Sequence, residues 1–156
     1  MECVKKVFEI LRAKGWHISF AESCTGGLVS GTLVAIDGSS SVFDSSFVTY
    51  ANESKVKYLG VREEDIAAHG VVSEQVAGQM AKGCALANGA QVGVGISGIA
   101  GPTGGTPNKP VGTVCFGFYM DGDIHTFTCL FENLDRQGVR MAAVRYVYET
   151  LETLLK

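Results

Sequence analysis

The sequence predicts an α/β fold, a three-layer α/β/α sandwich with a mixed β-sheet, for residues 1–156 as a single domain. Three observations lead to this prediction. The first half of the chain alternates strand-like and helix-like segments, the second half holds two strand-like segments joined by a short turn, and a long amphipathic segment comes last. Alternation of strand and helix produces parallel strands, a hairpin adds antiparallel ones, and helices then cover both faces of the sheet.

The first elements follow from the spacing of apolar residues. An amphipathic helix is followed by a strand over Trp16–Ala21, and a tight turn over Glu22–Gly27 leads into a helix over Leu28–Ile36. The β-forming residues of Phe47–Tyr50 predict the second strand. Asn52 has a side chain suited to capping the helix after that strand.

Two helices and a third strand fill the middle of the chain. Glu63–Ala68 predicts a short helix, and Ser73 is expected to cap a longer one. Val92–Ile96 predicts the third strand. Gly98–Pro110 contains four glycines and all three prolines of the chain. So many helix and strand breakers predict a loop.

The last part of the chain combines a hairpin with a helix. Val111–Phe118 and Ile124–Phe131 predict two antiparallel strands that turn at Asp121–Gly122. Apolar residues recurring from Val139 to Leu154 predict the final helix. The apolar residues of the hairpin and this helix form either part of the core or the face of a homodimer.

Composition and charge exclude several classes of function. A net charge of −3 provides no basic face for a nucleic-acid partner. Five widely spaced cysteines without a Cys-x-x-Cys pair predict reduced thiols, not disulfides or a zinc site. No apolar run approaches the ~20 residues of a membrane-spanning helix, and the first residues lack the pattern of a signal peptide. We therefore expect a cytoplasmic protein without a membrane partner.

Three segments that follow predicted strands are expected to converge. Ligand sites in open α/β sheets lie beyond the carboxyl ends of the strands. The turn at Ser23, the junction of Tyr50 with Asn52, and the glycine-rich loop after Ile96 all occupy such positions. They are predicted to meet at one edge of the sheet.

Ser23 is the candidate nucleophile because it stands in a sharp turn between a strand and a helix. The amides at the start of that helix would lie beside it and could stabilise an oxyanion or hold a phosphate. The simpler interpretation is that Ser23 only caps the helix. The neighbouring Cys24 is a second candidate nucleophile, or a small buried residue.

Lys55 is the candidate general base, since the three histidines show no triad pattern with Ser23. It lies one helical turn past the Tyr50 strand, and Tyr50 could donate or relay protons. A lysine accepts a proton near neutral pH only if burial or a nearby positive dipole lowers its pKa. The alternative is that Lys55 is a solvated surface charge.

Two further features suit an anionic ligand. The loop over Gly98–Pro110 offers backbone amides and Lys109, or is a purely structural turn cluster. Arg136 and Arg140, one helical turn apart, could clamp a phosphate, or could pair with nearby acidic residues on the surface.

Five blocks of the sequence stand in a distinctive order and spacing: Ala21-Glu-Ser-Cys-Thr-Gly-Gly27, Phe47-Val-Thr-Tyr-Ala-Asn52 with Lys55 and Leu59-Gly60-Val61, Gly70-Val-Val-Ser73, Ser97-Gly-Ile-Ala-Gly-Pro-Thr-Gly-Gly105, and Lys109-Pro-Val-Gly-Thr113. Together they resemble the C-terminal domain of the CinA family over essentially the whole chain. One departure is Leu134 where the family often has glycine before Asp-Arg. It affects the local loop before the last helix.

The resemblance implies hydrolysis of the carboxamide of nicotinamide mononucleotide to nicotinate mononucleotide and ammonia, a step in pyridine-nucleotide salvage. It implies Ser23 as nucleophile, Lys55 as general base and Tyr50 as a supporting hydroxyl. It further implies that Arg140 meets the 5′-phosphate, that no metal or cofactor takes part, and that the protein is a homodimer. The implied substrate-binding residues are Thr25, Gly26, Gly27, Ser97, Gly98, Gly101, Gly104 and Gly105. A non-catalytic nucleotide-binding module with the same pocket is the alternative.

Overall fold

A computed structural model, which describes all 156 residues, contains one mixed sheet of five strands. The strands are β1 (Ile18–Glu22), β2 (Phe47–Val48), β3 (Val92–Gly98), β4 (Thr113–Met120) and β5 (Asp123–Leu130). Their order across the sheet is β2-β1-β3-β4-β5. The first three strands are parallel, and β4 and β5 run antiparallel to their neighbours.

Six α-helices cover the two faces of this sheet. They are α1 (Glu2–Lys14), α2 (Leu28–Val34), α3 (Asn52–Leu59), α4 (Glu63–His69), α5 (Glu74–Asn88) and α6 (Arg136–Leu154). Helices α1, α2 and α6 pack together over one face, and α5, flanked by α3 and α4, packs on the other. The three-layer α/β/α sandwich with a mixed sheet is therefore confirmed.

Helix α5 lies unusually close to the sheet. A Cβ atom added to Gly95 in β3 would lie 2.2 Å from the carbonyl oxygen of Ala77, and one added to Gly117 in β4 would lie 2.3 Å from the same oxygen. Only glycine permits this approach of helix backbone to strand backbone. The helix is thereby held against the sheet, and with it the segment immediately before α5.

The predicted boundaries differ from the observed ones in two places that bear on function. Strand β2 covers two residues, because the carbonyl oxygens of Thr49 and Tyr50 accept hydrogen bonds from Lys55 Nζ and not from a neighbouring strand. Asn52 is the first residue of α3 and not its cap, and Ala51 takes the cap position without a side-chain bond. The cap expected from Ser73 is confirmed, since its Oγ accepts from the amide of Val76.

Most apolar residues of the last helix belong to the core, although Met141 is 45% exposed. Val139, Ala143, Val147 and Leu151 are fully buried within the chain. On the hairpin, Ile124 remains 45% exposed. The predicted turn at Asp121–Gly122 is confirmed, and the homodimer stays a prediction. None of the helices combines the length and the apolar character needed to cross a membrane.

Candidate active site

The candidate site lies where the strand order reverses. Strand β1 is flanked by β2 on one side and by β3 on the other, so the carboxyl ends of all three strands meet around the turn that follows β1. Ser23 comes from this turn, Tyr50 from the segment after β2, and Ser97 from the end of β3. These residues line a cavity of about 180 Å³ together with Lys55 and Arg136.

Lys55 is directed at Ser23 from the first turns of α3. Its Nζ lies 3.1 Å from Ser23 Oγ, 2.5 Å from the carbonyl oxygen of Thr49 and 3.3 Å from the carbonyl oxygen of Tyr50. The side chain is only 1% exposed, and no carboxylate forms an ion pair with it. Burial lowers the pKa of Lys55 from its ordinary value, an effect that Cys24 partly opposes.

Glu22 holds the start of α2 from inside the protein. Its carboxylate is fully buried and accepts hydrogen bonds from the amides of Gly27, Val29 and Ser30 at 3.0–3.1 Å, and from Ser30 Oγ at 2.5 Å. A negative charge at a helix N-terminus is favoured by the helix dipole and by charge-assisted hydrogen bonds. Our sequence interpretation missed this role. The sequence pattern that could have predicted this role is an acidic residue at the end of an otherwise apolar strand, directly before the start of a helix.

The amides of the Ser23 turn are only partly available for a ligand. Glu22 occupies the Gly27 amide, and the Gly26 amide donates to the carbonyl oxygen of Ser23. The amides of Cys24 and Thr25 donate to no acceptor in the protein. The hydroxyl of Thr25 is also buried without a partner. Of the three turn residues expected to bind substrate, Gly26 and Gly27 therefore have amides that are already occupied, and only Thr25 has an amide without an acceptor.

Arg140 contacts this turn and not the cavity. Its Nε donates to the carbonyl oxygen of Cys24 at 2.9 Å, its Nη2 to that of Thr25 at 3.2 Å, and its Nη1 to Gln137. A Cβ on Gly26 would lie 3.3 Å from Arg140 Nη2, so glycine there leaves room for the guanidinium. Arg140 is absent from the residues that line the Ser23 cavity. This placement does not favour the phosphate contact expected for it.

Arg136, and not Arg140, lines the Ser23 cavity. Its Nη1 donates to the carbonyl oxygen of Gly101 at 2.8 Å, and its Nη2 donates to the hydroxyl of Tyr50 at 3.1 Å. The Tyr50 side chain is 65% exposed and makes no hydrogen bond to Ser23 or Lys55, although its carbonyl oxygen contacts the lysine. Neither Arg136 nor Arg140 pairs with an acidic side chain.

A second, larger cavity adjoins the first. It measures about 470 Å³ and shares Tyr50, Gly98 and Arg136 with the Ser23 cavity. Its other lining residues include Gly101, Gly104 and Lys109. Gly105 does not line it. Ser97 lines the smaller cavity and donates from its Oγ to the carbonyl oxygen of Val71 at 2.8 Å.

The alternative nucleophile and base are less suited to chemistry. Burial raises the pKa of the Cys24 thiol to about 11, which leaves it protonated near neutral pH. The imidazole of His17 contacts Asp44 at 2.8 Å, His69 ends α4, and His125 lies in β5. None of the three histidines lines the Ser23 cavity. No group of three or more His, Cys, Asp or Glu side chains is arranged to hold a metal ion.

Comparison with known proteins establishes the family. The model of the CinA C-terminal domain matches residues 1–155. The chain belongs to the CinA C-terminal domain family. It is 50% identical over 141 residues to the nicotinamide-nucleotide amidohydrolase PncC of Enterobacter agglomerans, a match covering 90% of this chain and 85% of the relative. It is 47% identical over 152 residues to the PncC protein of Escherichia coli strain K12, covering 97% and 92%.

Other members are longer, and solved structures share the fold. A putative competence-damage inducible protein of Symbiobacterium thermophilum is 58% identical over 145 residues, but the match covers only 34% of that protein. The crystal structure of the competence/damage inducible protein CihA of Agrobacterium tumefaciens superposes with a TM-score of 0.95 at 39% identity, covering 99% of this chain and 94% of that one. The two chains thus share one fold over nearly their whole lengths.

Proposed function

We propose that this protein hydrolyses the carboxamide of nicotinamide mononucleotide to nicotinate mononucleotide and ammonia, by a Ser23–Lys55 mechanism, within cytoplasmic pyridine-nucleotide salvage. The observation that carries the proposal is the buried amine of Lys55 at 3.1 Å from the hydroxyl of Ser23. The family supports the choice of substrate, since relatives of nearly the same length carry the name nicotinamide-nucleotide amidohydrolase.

The three oxygen atoms around Lys55 suit a proton shuttle. A neutral amine has two N–H donors and one lone pair, and an ammonium group has three N–H donors. With the carbonyl oxygens of Thr49 and Tyr50 accepting two N–H bonds, the lone pair of the neutral amine is left for the hydroxyl proton of Ser23. The protonated form can donate to all three oxygens. Both protonation states are therefore satisfied without movement of the lysine.

In the first half of the reaction Ser23 becomes acylated. Lys55 accepts the hydroxyl proton as Ser23 Oγ attacks the carboxamide carbon, and a tetrahedral intermediate forms. Lys55 then gives the proton to the amide nitrogen. The carbon–nitrogen bond breaks, ammonia leaves, and the nicotinoyl group remains as an ester on Ser23.

In the second half of the reaction water hydrolyses the ester on Ser23. Lys55, neutral again, removes a proton from water, which attacks the ester carbon. The ester bond to Ser23 Oγ breaks, Lys55 returns the proton to the serine oxygen, and the product leaves as the carboxylic acid, which ionises by giving its proton to solvent. The amide of Cys24, which has no acceptor in the protein and belongs to a residue that lines the Ser23 cavity, supplies an oxyanion donor in both halves.

The two adjoining cavities suit the two parts of a mononucleotide. The smaller one, at Ser23 and Lys55, accommodates the nicotinamide ring, and the larger one accommodates the ribose phosphate. Arg136 and Lys109 are the cationic side chains that line the larger cavity, so they are assigned to the phosphate. Tyr50, hydrogen bonded to Arg136, contributes its hydroxyl at the junction.

Ammonia release from nicotinamide mononucleotide tests the proposal. The wild-type chain is expected to release ammonia, Ser23→Ala to lose at least about 10³-fold in kcat, and Cys24→Ala to retain most of the activity. Equal turnover by wild type and Ser23→Ala would exclude the serine mechanism. A greater loss in Cys24→Ala than in Ser23→Ala would favour a cysteine amidase, and binding without turnover would favour a non-catalytic nucleotide-binding module.

A further inference from the structure

Ser97 stands beside Ser23 at the carboxyl end of the sheet. Strands β1 and β3 are parallel neighbours, and Ala21 pairs with Gly95 in their register. Ser23 and Ser97 each follow that pair by two residues, Ser23 as the first residue past β1 and Ser97 as the penultimate residue of β3. Neighbouring strands lie about 4.8 Å apart. Both serines also line the smaller cavity, so Ser97 is within reach of a group that is bound at Ser23.

The hydroxyl proton of Ser97 is already used within the protein. Oγ donates to the carbonyl oxygen of Val71 at 2.8 Å, and that oxygen has no other donor. A hydroxyl group has one donor and two acceptor lone pairs. Ser97 is 1% exposed, and no group of the protein donates to its Oγ. The oxygen is therefore left as a hydrogen-bond acceptor for a group in the cavity.

The packing of α5 keeps the hydroxyl in this orientation. Val71 lies in the segment before α5, and the backbone of α5 meets β3 at Gly95, on the same face of the strand as Ser97. Ser73, which ends this segment, donates from its Oγ to the carbonyl oxygen of Gly70 at 2.8 Å. If the Ser97 hydroxyl turned to donate to a ligand, the Val71 oxygen would lose its donor, which costs free energy.

The other polar groups of the smaller cavity mainly offer donors. Lys55 and Arg136 line it with N–H groups, and the amide of Cys24 has no acceptor in the protein. Such donors bind a carboxylate at least as well as a carboxamide. A primary carboxamide has two N–H donors, whereas a carboxylate has only acceptor oxygens. An acceptor in the wall therefore bonds to the amide substrate and opposes the acid product.

We propose that Ser97 selects the primary carboxamide, because its Oγ accepts one N–H of the substrate amide and disfavours the carboxylate of the product. The inference rests on the proposed function. It goes beyond the general substrate-binding role that the resemblance implies for Ser97, since it names the atom and the group that it binds. With the carboxamide carbon at Ser23 Oγ, the nitrogen lies toward Ser97 and Lys55, and the carbonyl oxygen lies toward the amide of Cys24.

Two substrates with the same acyl group test this role. Nicotinamide mononucleotide is compared with the methyl ester of nicotinate mononucleotide, which forms the same ester on Ser23 and releases methanol in place of ammonia. Its leaving group has no N–H. Ser97→Ala is expected to lower kcat/KM on the amide about tenfold, the size of one neutral hydrogen bond, and to leave the methyl ester nearly unchanged. Equal losses on both substrates, or no loss on the amide, would overturn the proposal.

Two further variants separate this role from damage to the fold. Ser73→Ala also removes a hydroxyl that donates at 2.8 Å to a carbonyl group of the same segment, but Ser73 does not line the Ser23 cavity. It is expected to keep the wild-type ratio of amide to ester kcat/KM. Ser97→Cys keeps nearly the volume of serine with a much weaker acceptor. It is expected to lower that ratio, even if Ser97→Ala does not fold. The opposite result in either variant would contradict the role of Ser97.

Binding measurements distinguish failure of this inference from failure of the proposed function. The mononucleotides of nicotinamide and nicotinate are titrated by calorimetry into Ser23→Ala and into Ser23→Ala with Ser97→Ala. The ratio of the nicotinate Kd to the nicotinamide Kd is expected to fall about tenfold when Ser97 is lost. If wild type binds the amide but hydrolyses neither substrate, the proposed function fails and this ratio decides the role of Ser97. An unchanged ratio, or no binding of the amide, would overturn that role.

Discussion

Two regions of the sheet use the same kinds of side chain for different purposes. At the carboxyl ends of the parallel strands, Glu22 and Lys55 are buried at 0% and 1% exposure. On the antiparallel side, Glu74 at the start of α5 accepts from the hydroxyls of Thr126 and Thr128 of β5, at the exposed edge of the sheet. A carboxylate receives hydroxyl donors in both regions. Burial makes the difference, because charges removed from water must be matched by fixed dipoles.

The candidate active site lies on the side of the sheet where the strands are parallel. Parallel strands end together, so three turns deliver polar groups to one buried point. The β4–β5 hairpin reverses direction, and β5 leaves one edge and much of one face exposed to solvent. A lysine placed there would stay in contact with water, as exposed Lys57 does beside the Tyr58 ring.

The largest expected effect comes from removing the buried amine. Lys55→Met fills a similar volume without a proton acceptor, so kcat for amide hydrolysis is expected to fall by at least about 10³-fold. Lys57→Met, two residues along the same helix but exposed, is the matched control and is expected to match wild type. Comparable activity losses in the two variants would remove the distinction between buried and exposed lysine.

The second effect concerns the buried carboxylate of Glu22. In the wild type, backbone amides and one hydroxyl donate to the Glu22 carboxylate. Glu22→Gln places an amide NH₂, itself a donor, among these donors. The free energy of unfolding, measured in urea, is expected to fall by about 2–4 kcal/mol. A change below about 1 kcal/mol would show that the buried charge contributes little to holding the α2 start.

The third effect is a dependence of rate on pH. The neutral amine of Lys55 is the active form, and burial lowers the pKa of that amine below its ordinary value of 10.5. Below the lowered pKa, kcat/KM is expected to rise about tenfold per pH unit, because the neutral fraction rises tenfold. Above it, the rate levels off. A rate that falls as pH rises through this range would contradict lysine as the base.

The smallest effect is expected at the exposed edge. Glu74→Gln weakens the hydrogen bonds from Thr126 and Thr128, which hold the pKa of that carboxylate below its usual value. These bonds lie near the surface, so the unfolding free energy is expected to fall by no more than about 1 kcal/mol. Ammonia release is expected to be unchanged. A loss as large as that of Glu22→Gln would erase the contrast between the two regions.

The sequence alone determined the layers and the segments that carry the site. Helical and strand periodicities, the glycine and proline loop, and the Asp121–Gly122 turn depend on residues close in the chain, so local patterns are sufficient to predict them. The positions of Ser23 and Lys55 after consecutive strands were also readable, because parallel strands end on the same side of a sheet.

Only the tertiary structure decided what the charged groups contact. These contacts depend on side-chain directions and on burial. They are the bonds of Glu22 to the start of α2, of Arg140 to the carbonyls of Cys24 and Thr25, and of Arg136 to Tyr50. Arg136 and Arg140 are chemically identical and one helical turn apart, so sequence spacing does not tell which one reaches a cavity and which one holds a backbone. Residues four apart on a helix point in slightly different directions, and this offset separates the roles of the two arginines.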